Sequence, residues 1–306
     1  MEKNDWILTD WLKNAAKKLP FNECVYLTKT LFETEILETS KNLPKLAKTC
    51  LDSALKKRLK NVPLAKILGK KAFWKDVFLT NEHTLDPRPE TEALLEAISI
   101  KPRTILELGV GTGCLILSAL KMFPKAHGVG IDISEDSLAI ARLNSHILQS
   151  EKENFDKKNP KKSNNLAKKI TFLQNDWAKN LIEKLPKNSN FYSQISSQNE
   201  KKIKNLHFDL ILANPPYVAA QTPLDSQTLY DPALALFGNE ETYVEMFESL
   251  KNITFQEFII EIPENLVEKI TSFLEKNPPF EFDSLQAKQI YDSKIFVLKI
   301  IKKSAI

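Results

Sequence analysis

Asn214-Pro215-Pro216-Tyr217 is the segment of this 306-residue chain whose residue types could do chemistry together. It follows an apolar run, Phe208 to Leu212, that reads as a buried strand. The side-chain oxygen of Asn214 and the carbonyl of Pro215 are two hydrogen-bond acceptors, and the prolines stiffen the turn that carries them. Tyr217 can pack on the flat face of a target. This set suits a planar nitrogen bearing two N–H groups, an amide or an exocyclic amine. The lone pair of an amide nitrogen is delocalised and must localise before it attacks a methyl carbon. Acceptors held against both N–H groups stabilise the positive charge that then develops. Much of the rate of such a transfer comes from in-line orientation. No general base is required beforehand, because the proton becomes far more acidic once the nitrogen is alkylated.

A second cluster lies upstream. Three of the seven glycines fall at Gly109, Gly111 and Gly113. The loop follows a predicted strand, Thr104 to Leu108, and precedes a helical pattern, Leu115 to Phe123. Glycine tolerates positive φ and lets a ligand approach the backbone, and such a loop is where a doubly wound sheet binds ligands. The spacing is GxGxG rather than GxGxxG, and no Walker lysine follows, so a P-loop is rejected. Glu107 and the glycines form a neutral-to-acidic loop that suits a cation better than a pyrophosphate. The next strand ends at Asp132, which can accept from both hydroxyls of a ribose. S-adenosylmethionine, with its sulfonium and α-ammonium, fits these residues better than NAD. The candidate cofactor residues are Glu107, Gly109, Val110, Gly111, Thr112, Gly113, Asp132, Ile133, Asp176, Trp177 and Asn214. Trp177 can pack on an adenine and Asp176 can read its amino edge, although an ordinary core role for Trp177 stays open.

The elements that must position these residues follow from periodicity. Residues 5 to about 60 read as helices only. Trp6, Ile7, Trp11, Leu12, Ala15 and Leu19 share one face, a second helix starts with Asn22 as N-cap, and a third runs from about Leu43 to Leu59. Residues 66–85 are dense in strand formers and read as a hairpin with a turn at Gly69. Asp86-Pro-Arg-Pro-Glu-Thr-Glu92 then opens a helix, with Pro89 in its first turn. Beyond Thr104 strands alternate with helices. The further strands are Gly128 to Ile133, Ile170 to Gln174, Phe208 to Ala213, Phe258 to Ile262, Phe280 to Asp283 and Lys294 to Ile300. The expected fold is therefore α/β, a doubly wound seven-stranded Rossmann-like sheet with a small N-terminal helical domain and a β-hairpin linker. The expected division is residues 1–65, 66–85 and 86–306. Residues 150–169 and 187–205, rich in Lys, Asn, Ser and Gln, read as low-complexity loop insertions. The strand before Gly109 and the strand before Asn214 should be neighbours.

Composition excludes several classes. The net charge of +4 is too mild to imply a nucleic-acid partner by itself. The three cysteines are widely spaced and the four histidines are scattered, so neither a disulfide framework nor a metal site is supported. No apolar run is long enough to span a bilayer and no signal peptide is read. A cytoplasmic chain is expected.

Taken together, the motifs resemble those of the release factor glutamine methyltransferases. The pieces that carry the resemblance are Asp86 to Glu92, Glu107 to Gly113, Gly130-Ile-Asp-Ile-Ser134, Asn175-Asp-Trp177, Asn214 to Tyr217 and Tyr230-Asp-Pro-Ala-Leu234. The resemblance implies S-adenosylmethionine as cofactor, bound by Gly109 to Gly113, Asp132, Trp177 and Asn214. It implies as substrate the glutamine of the Gly-Gly-Gln motif in class-1 peptide-chain release factors, held by Asn214 to Tyr217, with the helical domain helping to dock the partner. A monomer with no direct nucleic-acid contact is expected. The chain departs from the family pattern at Asp231, where Glu is usual, at Asn239-Glu240 after Gly238, and at Pro263. A ribosomal-protein glutamine methyltransferase and an adenine amino methyltransferase acting on nucleic acid remain alternative readings.

Overall fold

The computed structural model describes residues 8–32, 45–155, 166–187, 191–192 and 206–302. Three helices open it, α1 (Leu8–Ala15), α2 (Phe21–Phe32) and α3 (Lys45–Arg58), followed by the short α4 (Leu64–Leu68). Leu8, Trp11, Leu12 and Ala15 of α1 pack on Cys24 and Leu51. Helix α2 begins at Phe21, so Asn22 lies inside the first turn instead of capping it. Trp6, Ile7 and Leu43 lie outside the described residues.

The hairpin follows as β1 (Lys70–Phe73) and β2 (Asp76–Leu79), paired antiparallel with Phe73 opposite Asp76. Its turn is Trp74-Lys75, with Trp74 at φ 54°. Gly69 does not make this turn. At φ 68° it is the left-handed C-cap of α4, the position where glycine ends helices at least cost.

The main sheet contains seven strands in the order β5-β4-β3-β6-β7-β9-β8. They are β3 (Thr104–Leu108), β4 (His127–Asp132), β5 (Ile170–Gln174), β6 (Leu206–Ala213), β7 (Ile253–Pro263), β8 (Ser284–Gln289) and β9 (Ile295–Ile301). The first five are parallel; β9 runs antiparallel to both β7 and β8. The sixth strand, Ser284–Gln289, lies just beyond the Phe280 to Asp283 that the sequence predicts. Phe280 packs its ring against Phe247, Phe255 and Phe258. Those apolar residues fill the core, while the more polar Ser284–Gln289 pairs at the sheet edge, where one-sided burial suffices.

Each central strand feeds two cores by its period of two. Leu106, Leu108, Ile211, Ala213, Phe258 and Ile260 join one apolar cluster. Ile105, Leu210, Leu212 and Ile259 join the cluster on the other face. The second face is covered by α5 (Glu92–Glu96), α6 (Cys114–Met122) and α7 (Glu135–Phe155). After α8 (Leu181–Lys184), the first face is covered by α10 (Glu240–Glu248) and α11 (Glu264–Lys276), with the short α9 (Ala233–Leu236) preceding them.

Two boundaries correct the reading of the insertions. Helix α7 continues to Phe155, taking in the start of the segment 150–169; Glu, Lys and Gln are strong helix formers even in a low-complexity run. In the segment 187–205, Phe191 is buried and stacks on Phe208, with ring centroids 5.0 Å apart. Residues 156–165, 188–190 and 193–205 lie outside the described residues.

Candidate active site

The carboxyl ends of β3, β4, β5 and β6 open into a cavity of about 490 Å³. Leu108 pairs with Ala213 and with Ile131, and Asp132 pairs with Gln174. The glycine loop, the Asp132 carboxylate, the Asn175–Trp177 loop and the Asn214 turn therefore leave the sheet at one level. β3 has β4 on one side and β6 on the other, so this is the point where the strand order reverses and a crevice forms.

The glycine loop is built by backbone. Gly109 and Gly111 have φ of 75° and 53°, and a Cβ at either would meet no atom within 4 Å. Their missing side chains thus leave open approach to the main chain. Gly113 serves packing instead. It is the left-handed N-cap of α6, and a Cβ there would press on Ala141 and Leu117 at 3.2 Å. Asp132 accepts from the Gly111 N–H at 2.8 Å and the Ser134 N–H at 2.9 Å. Burial raises its pKa, opposed by these backbone hydrogen bonds. A carboxylate has about four lone-pair sites, so acceptor capacity remains for a ligand. Glu107 is buried at the end of β3 and accepts from the Ile116 N–H at 3.0 Å; burial pushes its pKa well up.

Val110, Thr112, Ile133, Asp176, Trp177, Asn214 and Pro216 also line the cavity, whereas Gly113, Pro215 and Tyr217 are not among the lining residues. Trp177 is half-buried at φ 47°. The Asn175 side chain holds that loop by donating to the carbonyls of Trp177 and Lys179, both at 2.9 Å. Asp176 pairs with Lys179 at 2.5 Å.

The turn at Asn214 is braced by residues to which the sequence reading gave no role. Asn214 Nδ2 donates to Thr91 Oγ1 at 2.9 Å, and Thr91 Oγ1 donates to Glu261 Oε2 at 2.6 Å. The Tyr217 hydroxyl donates to Glu261 Oε1 at 3.3 Å, and its ring packs on the core cluster. Burial, then the charge of Glu261, raises the pKa of Tyr217. Burial likewise pushes Glu261 up to about 7. Glu261 shares its face of β7 with Ile259, which belongs to the same apolar cluster as Leu94 and Leu95 of α5. Thr91 ends the Pro89–Thr91 turn just before α5, and so meets Glu261. Gly238 supports the turn from the other side: a Cβ there would fall 1.9 Å from the Pro216 carbonyl oxygen. Its N–H donates to the Val218 carbonyl at 3.0 Å.

A buried charge cluster ties this site to the segment before the hairpin. Lys66 Nζ lies 2.9 Å from Asp86 and 3.1 Å from Asp231, and donates to the carbonyls of Asn81 and Thr84 at 2.6 and 2.5 Å. Arg88 closes on Asp231 at 2.6 Å. The departure from Glu at position 231 is thus a shorter carboxylate that still reaches both cations. The following Pro232, Leu234, Ala235 and Phe237 line the cavity. The Tyr230 hydroxyl reaches back to the Lys60 carbonyl at 3.1 Å.

A seven-stranded sheet of this order, with helices on both faces and a glycine loop at the reversal point, is the Rossmann-like fold of methyltransferases. Among solved structures, the hMettl16 catalytic domain in complex with MAT2A 3′UTR hairpin 1 covers 95% of this chain and 90% of its own, with a TM-score of 0.51 at 11% identity. That likeness concerns the fold alone. The family model described as Eco57I restriction-modification methylase matches residues 127–262. The resemblance drawn from the motifs is borne out among curated proteins. The release factor glutamine methyltransferase of Cereibacter sphaeroides is 32% identical over 198 residues, covering 63% of this chain and 57% of that protein. That of Flavobacterium psychrophilum is 28% identical over 231 residues, covering 70% and 67%. The bifunctional methyltransferase of Rickettsia bellii is 25% identical over 244 residues, covering 69% and 37%. The chain thus spans under two thirds of the length of the first of these relatives.

Proposed function

We propose that the chain is an S-adenosylmethionine-dependent methyltransferase that modifies the side-chain amide nitrogen of a glutamine, the one in the Gly-Gly-Gln motif of class-1 peptide-chain release factors. The observation that carries this reading is the pairing of Leu108 with Ala213, which sets the glycine loop and the Asn214 turn side by side. The curated relatives named release factor glutamine methyltransferases support a glutamine of a release factor as the acceptor. Such a substrate implies the cytoplasm, and no helix among the described residues is long and apolar enough to cross a membrane. The working unit in this reading is a monomer.

The residues present fit the cofactor. The cavity is within the ordinary range for small-molecule sites, roughly 300–1,000 Å³. Gly109 and Gly111 leave the main chain open to close approach. Asp132 keeps acceptor capacity for ribose hydroxyls, Ile133 and Trp177 offer apolar surface to an adenine, and Asp176 and the loop N–H groups offer polar readout. Bound there, S-adenosylmethionine supplies a methyl carbon made electrophilic by its sulfonium. Asn214 Oδ1 and the Pro215 carbonyl accept from the two N–H groups of the glutamine amide. They favour the charge that develops on nitrogen over the neutral ground state. Tyr217 stiffens the turn through its hydrogen bond to Glu261.

A second reading is favoured by one observation, the match of residues 127–262 to a restriction-modification methylase. An adenine amino group is also planar with two N–H groups, and would have to be flipped out of a duplex. The two readings separate when purified release factor, ribosomal protein and DNA are offered in parallel with a labelled methyl donor. Label on the release factor alone supports the first reading. Label on DNA or on the ribosomal protein instead removes it.

A further inference from the structure

Glu261 is the least expected residue beside the turn. It is 1% exposed, and its two oxygens are met by two hydroxyls, from Thr91 and Tyr217. Burying a carboxylate is costly, and an apolar residue of similar size often serves stability as well or better. Its place here calls for a use other than stability.

We propose that Thr91 and Glu261 are positioning residues for the transfer, holding the Asn214 carboxamide in the single orientation that turns its oxygen toward the acceptor nitrogen. This inference rests on the role given to Asn214 above.

The argument is one of proton bookkeeping. An ionised carboxylate can only accept, so the one hydroxyl proton of Thr91 is committed to Glu261 Oε2 at 2.6 Å. Thr91 Oγ1 then shows only lone pairs to Asn214, 2.9 Å away. The amino half of the carboxamide satisfies those lone pairs; the oxygen half would bring two acceptors together with no proton between them. Asn214 Oδ1 is therefore the atom left for a ligand. The same carboxylate takes the Tyr217 hydroxyl on its other oxygen, which fixes both ends of the Asn-Pro-Pro-Tyr turn to one group. Three distant segments converge to make this relay: the Pro89–Thr91 turn, the end of β6 and the end of β7.

The relay depends on ionisation of Glu261. Burial and the nearby charge of Glu90 favour its neutral form, while the hydrogen bonds from Thr91 and Tyr217 and the charge of Arg88 favour the carboxylate. Tyr243 faces it through the backbone, donating to the Glu261 carbonyl at 3.0 Å. Once protonated, Glu261 releases the Thr91 proton. Thr91 can then donate to Asn214 Oδ1, and the two carboxamide orientations compete.

The test compares Thr91→Val, Thr91→Ser and Glu261→Gln with the parent chain, using purified release factor as acceptor. Thr91→Val is expected to lower kcat by about 10–100-fold while the KM for the acceptor and the calorimetric Kd for S-adenosylmethionine stay within about twofold. Thr91→Ser, which keeps the hydroxyl, is expected to recover most of that loss. The fall in kcat on the acid side of neutrality is expected in the parent and absent in Glu261→Gln. A readout that needs no turnover is the side-chain amide signal of Asn214 in a ¹⁵N-labelled chain, identified by its absence in Asn214→Asp. One of its protons should exchange slowly in the parent and in Thr91→Ser, and quickly in Thr91→Val. Normal turnover by Thr91→Val, a Thr91→Ser variant as slow as Thr91→Val, or identical exchange in all three would overturn the proposal. If the parent methylates no glutamine at all, the functional reading fails while the exchange measurement still judges the relay.

Discussion

Leu108 and Ala213 face each other across adjacent parallel strands, each the last residue before a loop. That single register pair brings the two chemistry-bearing motifs together, although they lie far apart in the chain. A slip of one residue in β6 would turn Ala213 and Ile211 out of their core and carry Asn214 with them.

Asn214→Ala removes the side-chain acceptor and the Thr91 contact together. Methyl transfer should fall by roughly 100-fold or more, in line with loss of an oriented polar group at a developing charge. The melting temperature should move by only a few degrees. Single-turnover assays with labelled cofactor measure the first, and thermal unfolding measures the second.

Asp132→Ala should weaken cofactor binding by roughly 1–3 kcal/mol, the usual cost of losing a charged hydrogen-bond partner. Part of that loss comes through the loop, because the Gly111 and Ser134 N–H groups lose their acceptor. Calorimetry gives the dissociation constant, and an unchanged value would count against the assignment.

Gly238→Ala places a methyl group on the Pro216 carbonyl oxygen, a contact that backbone must relieve. Stability should fall by about 1–3 kcal/mol, and kcat should fall more than cofactor affinity, since the turn moves and the glycine loop does not. Denaturant unfolding and steady-state kinetics on the same sample separate the two effects.

Glu261 links stability to pH in a defined direction. Its folded pKa of about 7 lies above the ordinary 4.5. Its favourable contribution is therefore complete below the unfolded value and is lost as pH rises through about 7. The size is at most about 3.5 kcal/mol, from about 1.4 kcal/mol per unit. Glu261→Gln should flatten the decline in unfolding free energy between pH 4.5 and 7, as measured by urea titration, and it should do so while lowering activity.

Lys66→Met leaves Asp86 and Asp231 buried around a missing cation, with Arg88 still on Asp231. Breaking a buried ion cluster in this way costs roughly 3–5 kcal/mol. The segment lining the cavity from Pro232 to Phe237 should become more open to limited proteolysis.

Much of this molecule was legible because its signals are local. The apolar runs of β3 and β5 matched their predicted limits residue for residue. Gly109, Gly111 and Asn214 announced themselves by residue type and by position at strand ends. Thr91 and Glu261 did not. Their pairing joins residues 170 positions apart, and nothing in a Pro-Glu-Thr turn or in Ile260-Glu261-Ile262 says which hydroxyl meets which carboxylate. The one available signal was a glutamate amid an otherwise apolar strand end, which marks a buried charge in need of partners. The misplaced sixth strand has a similar cause: Phe280 is apolar because it fills the core, and the strand itself is polar because it lies at an edge.

The central claim is that this cavity joins a methyl donor to a glutamine carboxamide. Intact-mass measurement tests it most directly, with purified chain and S-adenosylmethionine incubated with a release factor, and in parallel with the same factor carrying alanine in place of the Gly-Gly-Gln glutamine. The expected result is a gain of one methyl group on the first protein and none on the second, with no gain on either when Asn214→Ala replaces the parent chain. Equal methylation of both factors, or of neither, would contradict the claim.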